Sequence, residues 1–382
     1  MNWQEVLPEV YLYRDSCNVY AVRSPDGMLI IDAGTGRWLH HLDELPARPA
    51  ALALTHFFRD HAAGAAAAAR AGIPVHVGAC EEEIIADPQQ HFRQRETYII
   101  YDNQWDLFAP IEPTPITGLL HDYDRVSLAG MQVQILPLSG VTTTQIGLSV
   151  ESAQRGRVVF CGEAIHSPGR LARVAPLQYN YNDLPGAIHA YDSARRLRQG
   201  DIQALLPSLG DPIVDAVDPA LEQLQESLRY LVEDRPGMTE LFDQTETDDL
   251  VKVTDHLYMA TRSGSINWFL VSDSRKALAI DFGYRQPSLS ANYPRRHSRR
   301  ADLHSIEALK SRLGIDGIDV ALISHFHDDH VCGVPLLQRL FDTQCWAAAN
   351  FADLLSDPAA HCFPCTWPEP LLVNRRIELD EA

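Results

Sequence analysis

The chain has 382 residues, 46% hydrophobic and 22% charged, which is ordinary globular composition and long enough for two or more domains. Its formal net charge of −19 excludes general affinity for nucleic acid or anionic lipid, since both need basic surface. No apolar run approaches the roughly 18 residues of a membrane span, and Met1-Asn2-Trp3-Gln4-Glu5 lacks a basic segment followed by an apolar core, so a cytoplasmic protein is expected. Seven scattered cysteines, an odd number, point to reduced thiols.

In chain order, strands are expected over Val10–Tyr13, Val19–Val22 and Met28–Ile31, with a hairpin turn at Asp26-Gly27. The apolar run Ala51–Leu54 leads into Thr55-His56-Phe57-Phe58-Arg59-Asp60-His61. Ala62–Arg70, almost all alanine, predicts a helix, stopped by Gly72-Ile73-Pro74 before the strand Val75-His76-Val77. This alternation implies a layered α/β unit. Gln89–Tyr101 has helical character, and the prolines at 110, 113 and 115 mark a loop. Val133–Leu136 and Ile146–Val150 predict strands of a second sheet, and Leu184–Arg198 and Pro219–Val232 amphipathic helices. Residues 233–249, rich in carboxylates around Arg235-Pro236-Gly237, read as a linker, and strands restart at His256–Met259. The expected division is a domain over 1–235, a linker over 236–249 and a second unit over 250–382.

The most informative stretch is residues 324–330, Ser-His-Phe-His-Asp-Asp-His, directly after the apolar run Val320–Ile323. Three imidazoles and a carboxylate crowded into six residues are costly unless a cation sits among them. Imidazole nitrogen and carboxylate oxygen are the usual ligands of zinc and its neighbours. His325 and His327 lie two apart and project to one side of an extended segment. Asp329 and His330 turn in from the helix start that follows. The four are the candidate metal ligands, with Asp329 the candidate catalytic group.

This pattern, with its apolar strand, resembles the metallo-β-lactamase superfamily of binuclear hydrolases. Ala277–Ile280 followed by Asp281-Phe282-Gly283 is similar to that family's early strand ending in Asp-x-Gly, which makes Asp281 the candidate carboxylate steadying the ligand loop. Much of the pattern recurs near the N-terminus. Leu29–Ile31 with Asp32-Ala33-Gly34 matches the strand ending at Asp281, residues 51–61 match 320–330, and Ser16–Tyr20 echoes Ser265–Phe269. The resemblance implies an αββα sandwich followed by a second, incomplete unit of the same type.

Relative to the family's pattern, the first copy is degenerate. Phe58 stands at the second histidine, Val141 at the third, Leu209 at the last, and Glu163 at the bridging aspartate. The degenerate set is therefore His56, Asp60, His61 and Glu163, with His166 nearby. Its apolar replacements predict a dry, metal-free pocket; the weaker alternative is one ion on Asp60, His61, Glu163 and His166. The second copy keeps its motif, but residues 331–382 hold nothing matching the family's later ligands, and His361 is the only histidine there. A fragment of a longer protein is therefore expected, along with weak metal binding or a single ion. It also follows that one apolar sheet face of the second unit needs a cover: the first unit, a further segment or a second copy in a homodimer.

The resemblance implies zinc, one or two ions, with iron or manganese compatible with the donor set. The expected chemistry is metal-activated water attacking an ester, thioester, lactone, amide or phosphodiester of a small-molecule substrate. The alternative is a non-catalytic binding or scaffold protein built on the degenerate fold. The second copy carries about 20 extra residues before its histidine motif, including Arg295, Arg296, Arg299 and Arg300. Such a cluster can hold a substrate carboxylate or phosphate, though a solvated loop is the plainer expectation. The lone pair Cys362 and Cys365 cannot fill a structural zinc site.

Overall fold

The computed structural model describes residues 2–94, 108–179, 184–235, 237–246, 249–284, 300–301, 303–361, 367 and 369–378. The expected arginine cluster up to Arg299 and the Cys362–Cys365 pair lie outside these. The chain forms two compact units, Met1–Phe242 and Asp243–Ala382.

Unit 1 contains two sheets. The first has β1 (Trp3–Leu7), β2 (Val10–Arg14), β3 (Asn18–Ser24), β4 (Gly27–Ile31), β5 (Pro49–Ala53), β6 (Val75–Gly78) and β7 (Gly118–Leu120), in that order. β1 to β4 pair antiparallel and β4 to β7 parallel. The Asp26-Gly27 turn is where expected, with Gly27 at a positive φ and its backbone against Arg48, where no Cβ fits. Met28, Leu29, Ile30 and Ile31 are all buried, as a strand covered on both faces must be. The second sheet holds β8 (Arg125–Leu128), β9 (Met131–Pro137), β10 (Ile146–Ser152), β11 (Gly156–Phe160) and β12 (Ala204–Leu206), in the order 12-11-10-9-8. Leu12, Tyr20, Leu29, Ile31 and Ala53 of the first sheet share one core with Val133, Ile135, Leu148, Val158, Phe160 and Leu206 of the second. The sheets thus face one another, and unit 1 is an αββα sandwich.

Helices Pro185–Arg198 and Val217–Leu231 pack on each other outside the sheets. The second buries Val217, Ala220, Leu221, Leu224 and Leu228, a stripe at helical spacing. The alanine-rich helix is broken in two, Arg59–Ala62 and Ala65–Arg70. At the break, Gly64 lies so close to Ala33 and Gly36 that a Cβ would sit 2.5 Å from the Ala33 carbonyl oxygen. The stretch expected as a linker includes a helix, Met238–Glu246. Its Phe242 is fully buried, edge-on to Tyr191 at 4.8 Å, so an apolar anchor orders a carboxylate-rich segment. In residues 89–101 the described part is helical to Gln94.

Unit 2 holds β13 (Leu250–Lys252), β14 (Leu257–Ala260), β15 (Asn267–Val271), β16 (Ala277–Ile280), β17 (Val320–Ile323), β18 (Gln344–Ala348) and β19 (Val373–Ile377). Strand order and directions repeat those of β1–β7: three antiparallel pairs, then three parallel. One face, with Tyr258, Phe269, Ala279, Ala321 and Cys345, packs under helices His304–Leu313 and Val334–Phe341 through Leu309 and Leu337. The other face carries Met259, Trp268, Leu270, Leu278, Ile280 and Leu322, which are half-buried or, at Leu270, 49% exposed. Among the described residues of unit 2, no strand lies outside this sheet. Among the described residues of the chain, no helix is long and apolar enough to cross a membrane.

Candidate metal centre

In unit 2 the ligand loop begins where β17 ends. Asp281 follows β16 with φ 62°, in the left-handed region that aspartate tolerates better than most residues. This torsion turns its carboxylate under the loop. Asp281 Oδ1 accepts the Ser324 N–H at 2.8 Å and Oδ2 accepts the Ser324 hydroxyl at 2.6 Å. Oδ2 also lies 2.7 Å from His330 Nδ1. The Ser324 Oγ is in turn 3.0 Å from His325 Nδ1. One buried carboxylate thus fixes two imidazoles, directly and through a hydroxyl. Such partners set the tautomer, leaving Nε2 of His330 for a metal.

The rings of His325 and His330 have centroids 3.9 Å apart, and those of His325 and His327 4.6 Å. His330 Nε2 lies 3.8 Å from Asp329 Oδ2. Burial, together with His330 and His327, holds the His325 imidazole below its usual pKa, the neutral state ligation requires. The Asp329 backbone is pinned as well: its carbonyl accepts the Ser265 hydroxyl at 2.8 Å, and a Cβ on Gly283 would collide with it. The three rings and the Asp329 carboxylate lie together, and imidazole nitrogen and carboxylate oxygen are donor types that suit a divalent ion, but among the described residues no three of their donor atoms come within 4.8 Å of one another as those of unit 1 do.

Unit 1 builds the same frame. Asp32, at φ 59°, accepts the Thr55 N–H at 2.8 Å and the Thr55 hydroxyl at 2.9 Å, and Thr55 Oγ1 is 3.0 Å from His56 Nδ1. The Ser16 hydroxyl donates to the Asp60 carbonyl, as Ser265 does to that of Asp329. The contents of the pocket differ. Asp32 accepts from Ser208 at 2.5 Å, and His61 Nδ1 turns to Asp60 at 3.0 Å. Glu163 Oε1 faces His56 Nε2 at 3.3 Å and His61 Nε2 at 3.8 Å. Phe58 packs edge-on against His56, their ring centroids 5.0 Å apart, and Phe58 and Val141 are buried. Arg173 reaches in from the loop after β11: its Nε donates to Glu163 Oε2 at 3.1 Å, its Nη2 contacts Oε1, and its Nη1 lies 3.1 Å from Asp60.

Electrostatics follow from this arrangement. Burial alone would push the Glu163 carboxyl up, but His56, His61 and Arg173 outweigh it and bring it to about 2. Asp60 is likewise held well below its ordinary range against burial, by His61 and Arg173. Burial and the neighbouring His61 hold His56 down. Burial opposes protonation of His61 too, but Asp60, Asp32 and Glu163 overcome it and hold His61 up. Cys17 also lies near Asp32 and His61, and burial pushes its thiol far up in the absence of a bound cation.

The expected alternative set of Asp60, His61, Glu163 and His166 is not what converges. Among the described residues, the unit 1 ligand atoms that meet with Glu163 are those of His56 and His61, while His166 contacts Ser167. Sequence reasoning passed over Arg173 and the hydroxyls of Thr55, Ser208 and Ser324. A Ser or Thr directly before the first motif histidine is the signal that finds two of the hydroxyls; nothing local marks Arg173.

The family model described as the metallo-beta-lactamase superfamily matches residues 12–238 and 262–366, and the chain belongs to that superfamily. Membership makes it a protein of metal-dependent hydrolase kind. A metallo-beta-lactamase family protein of Thermus thermophilus is 19% identical, over 60% of this chain and 82% of its own, with a TM-score of 0.45. A Cronobacter sakazakii metallo-beta-lactamase with a HARLDQ motif is 17% identical, over 63% and 96%, with a TM-score of 0.47. A point mutant of the metallo-beta-lactamase FEZ-1 from Legionella gormanii is 16% identical, over 60% and 94%, at 0.46. No curated protein matches the chain.

Proposed function

We propose that this chain is a metal-dependent hydrolase of a small-molecule ester, thioester, lactone, amide or phosphodiester, with its chemistry on the ligand loop of unit 2. The observation that carries this reading is the shared anchoring of His330 and His325 on Asp281, which leaves their other nitrogens for a common cation. His325, His327, Asp329 and His330 would hold it; zinc is the first choice, and iron or manganese suit the same donors. When bound, such an ion supplies a water acidic enough to ionise near neutral pH and a Lewis acid for the substrate oxygen. Asp281 keeps the histidines in the ligating tautomer. Asp329, its backbone pinned by Ser265, would help hold the ion and accept a hydrogen bond from the attacking water. The two units are read as two copies of one fold, the first without chemistry, in a cytoplasmic protein. Of the covers open to the Leu270 face of unit 2, a second copy of the chain is the one put forward for test.

The test is elemental analysis of the purified chain beside a panel of those five substrate classes. His325→Ala/His327→Ala should lose metal and turnover together. Turnover that survives the double substitution rejects the assignment. A binding or scaffold role is favoured by one observation, the apolar filling of the unit 1 pocket by Phe58 and Val141. Bound metal with no turnover on any class in the panel would support it.

A further inference from the structure

We propose that unit 1 carries its own cation: the Arg173 guanidinium stands where a metal ion would bind and closes the pocket to metal. The argument concerns unit 1 alone and does not depend on catalysis in unit 2. Three carboxylates, Asp32, Asp60 and Glu163, lie around the histidine pair, and Asp32 and Glu163 are buried. Buried charges of one sign need a counter-charge. The planar guanidinium provides it in fork geometry, with Nε and Nη2 on Glu163 and Nη1 on Asp60. Its carbon also lies 5.4 Å from the centroid of the Phe58 ring. Phe58 occupies the position at which unit 2 has His327, so the residue replacing a ligand helps seat the residue replacing the ion.

The His56, His61 and Glu163 donors do not fit an ion while Arg173 is there. A metal shared by His56 and His61 needs Glu163 Oε1, and Nη2 already holds that oxygen. The other walls, Phe58 and Val141, offer no donor. Yet the trio is otherwise poised: the Nε2 atoms of His56 and His61 are buried without a hydrogen-bond partner and face that same oxygen at 3.3 and 3.8 Å. The guanidinium is thus the element separating this pocket from a two-histidine, one-glutamate metal site. Removing it should create one.

The experiment uses the full chain with His325→Ala/His327→Ala, so that unit 2 donors do not contribute, and Co2+ as probe. With Arg173 present, we expect no bound cobalt after dialysis and no change in melting temperature with chelator. Arg173→Ala should gain about one equivalent of Co2+, with the visible bands of a low-coordinate site. Adding Glu163→Gln should remove it again. Two results overturn the proposal: an equivalent already bound in the Arg173 parent and lost on Glu163→Gln, or a folded Arg173→Ala chain that gains none. Should Arg173→Ala fail to fold, Arg173→Gln keeps most of the stem without the charge and is measured in the same way. The chelator response and metal content of the parent decide the matter in either case.

Discussion

The two ligand loops rest on one frame and hold different contents. In each, an aspartate after the strand accepts from a Ser or Thr that steadies the first histidine, and a serine on the preceding strand loop pins the motif's aspartate backbone. They part at the last histidine. His330 gives its Nδ1 to the frame and keeps Nε2 for the pocket, whereas His61 gives its Nδ1 to Asp60 and its frame aspartate takes Ser208 instead. They part also in solvent access, since His56 and His61 are buried while His327 is exposed. The frame is common to the two units. What decides between a metal and a sealed salt-bridged core is a handful of side chains aimed into it.

Several measurements would break or sharpen that contrast. The largest effect belongs to the ligands themselves: His325→Ala/His327→Ala should cut turnover by about a thousandfold or more, as expected when a metal-assisted step is lost. His56→Ala should leave turnover unchanged, and steady-state rates for the two variants check the pair. Next comes Glu163→Gln, which breaks a buried ion pair and should cost about 3–5 kcal/mol at neutral pH by denaturant titration.

The same substitution has a pH signature. The Glu163 carboxyl sits at about 2 in the folded chain against an ordinary 4.5, so its contribution is complete above pH 4.5 and lost as pH falls toward 2. His61 is shifted up, so its contribution is complete below its ordinary 6.5 and fades as pH rises through the raised value. The unit 1 transition should therefore be most stable between those limits, and Glu163→Gln should flatten the acid limb in calorimetry. Smaller again is Asp281→Asn, expected to weaken metal affinity about 10–100-fold with the ligands intact. The smallest is Leu270→Asp. On an open face it should change stability by no more than about 0.5 kcal/mol. If a second copy covers the face, light scattering should instead show a dimer becoming a monomer.

How much of this was legible in the sequence depends on how local each signal is. The unit 2 candidate ligands sit within six residues and follow an apolar strand, so the nearness of their rings could be read from spacing alone. Asp281 and Asp32 were legible because Asp-x-Gly ends a strand in both copies. The layered α/β character of unit 1 was legible in the strand, helix and strand that run from Ala51 to Val77. Arg173 was not legible. It arrives from an irregular loop more than a hundred residues after Asp60, and an arginine flanked by Leu171-Ala172 and Val174-Ala175 carries no periodicity or motif that points to the pocket. The helix at Met238–Glu246 was masked by its carboxylates, which resemble a solvated linker, and only the burial of Phe242 reveals it.

The left-handed torsion at Asp32 and Asp281 narrows what either position will accept. Glycine relieves the torsion but removes the carboxylate, and β-branched residues cannot adopt it cheaply. Asparagine alone matches both the torsion and the shape while giving up the charge. A library at position 281 should therefore sort into two separable losses. Folding yield should follow backbone tolerance, with asparagine and glycine near the parent. Metal retention among the folded variants should follow the side chain's capacity to accept a hydrogen bond.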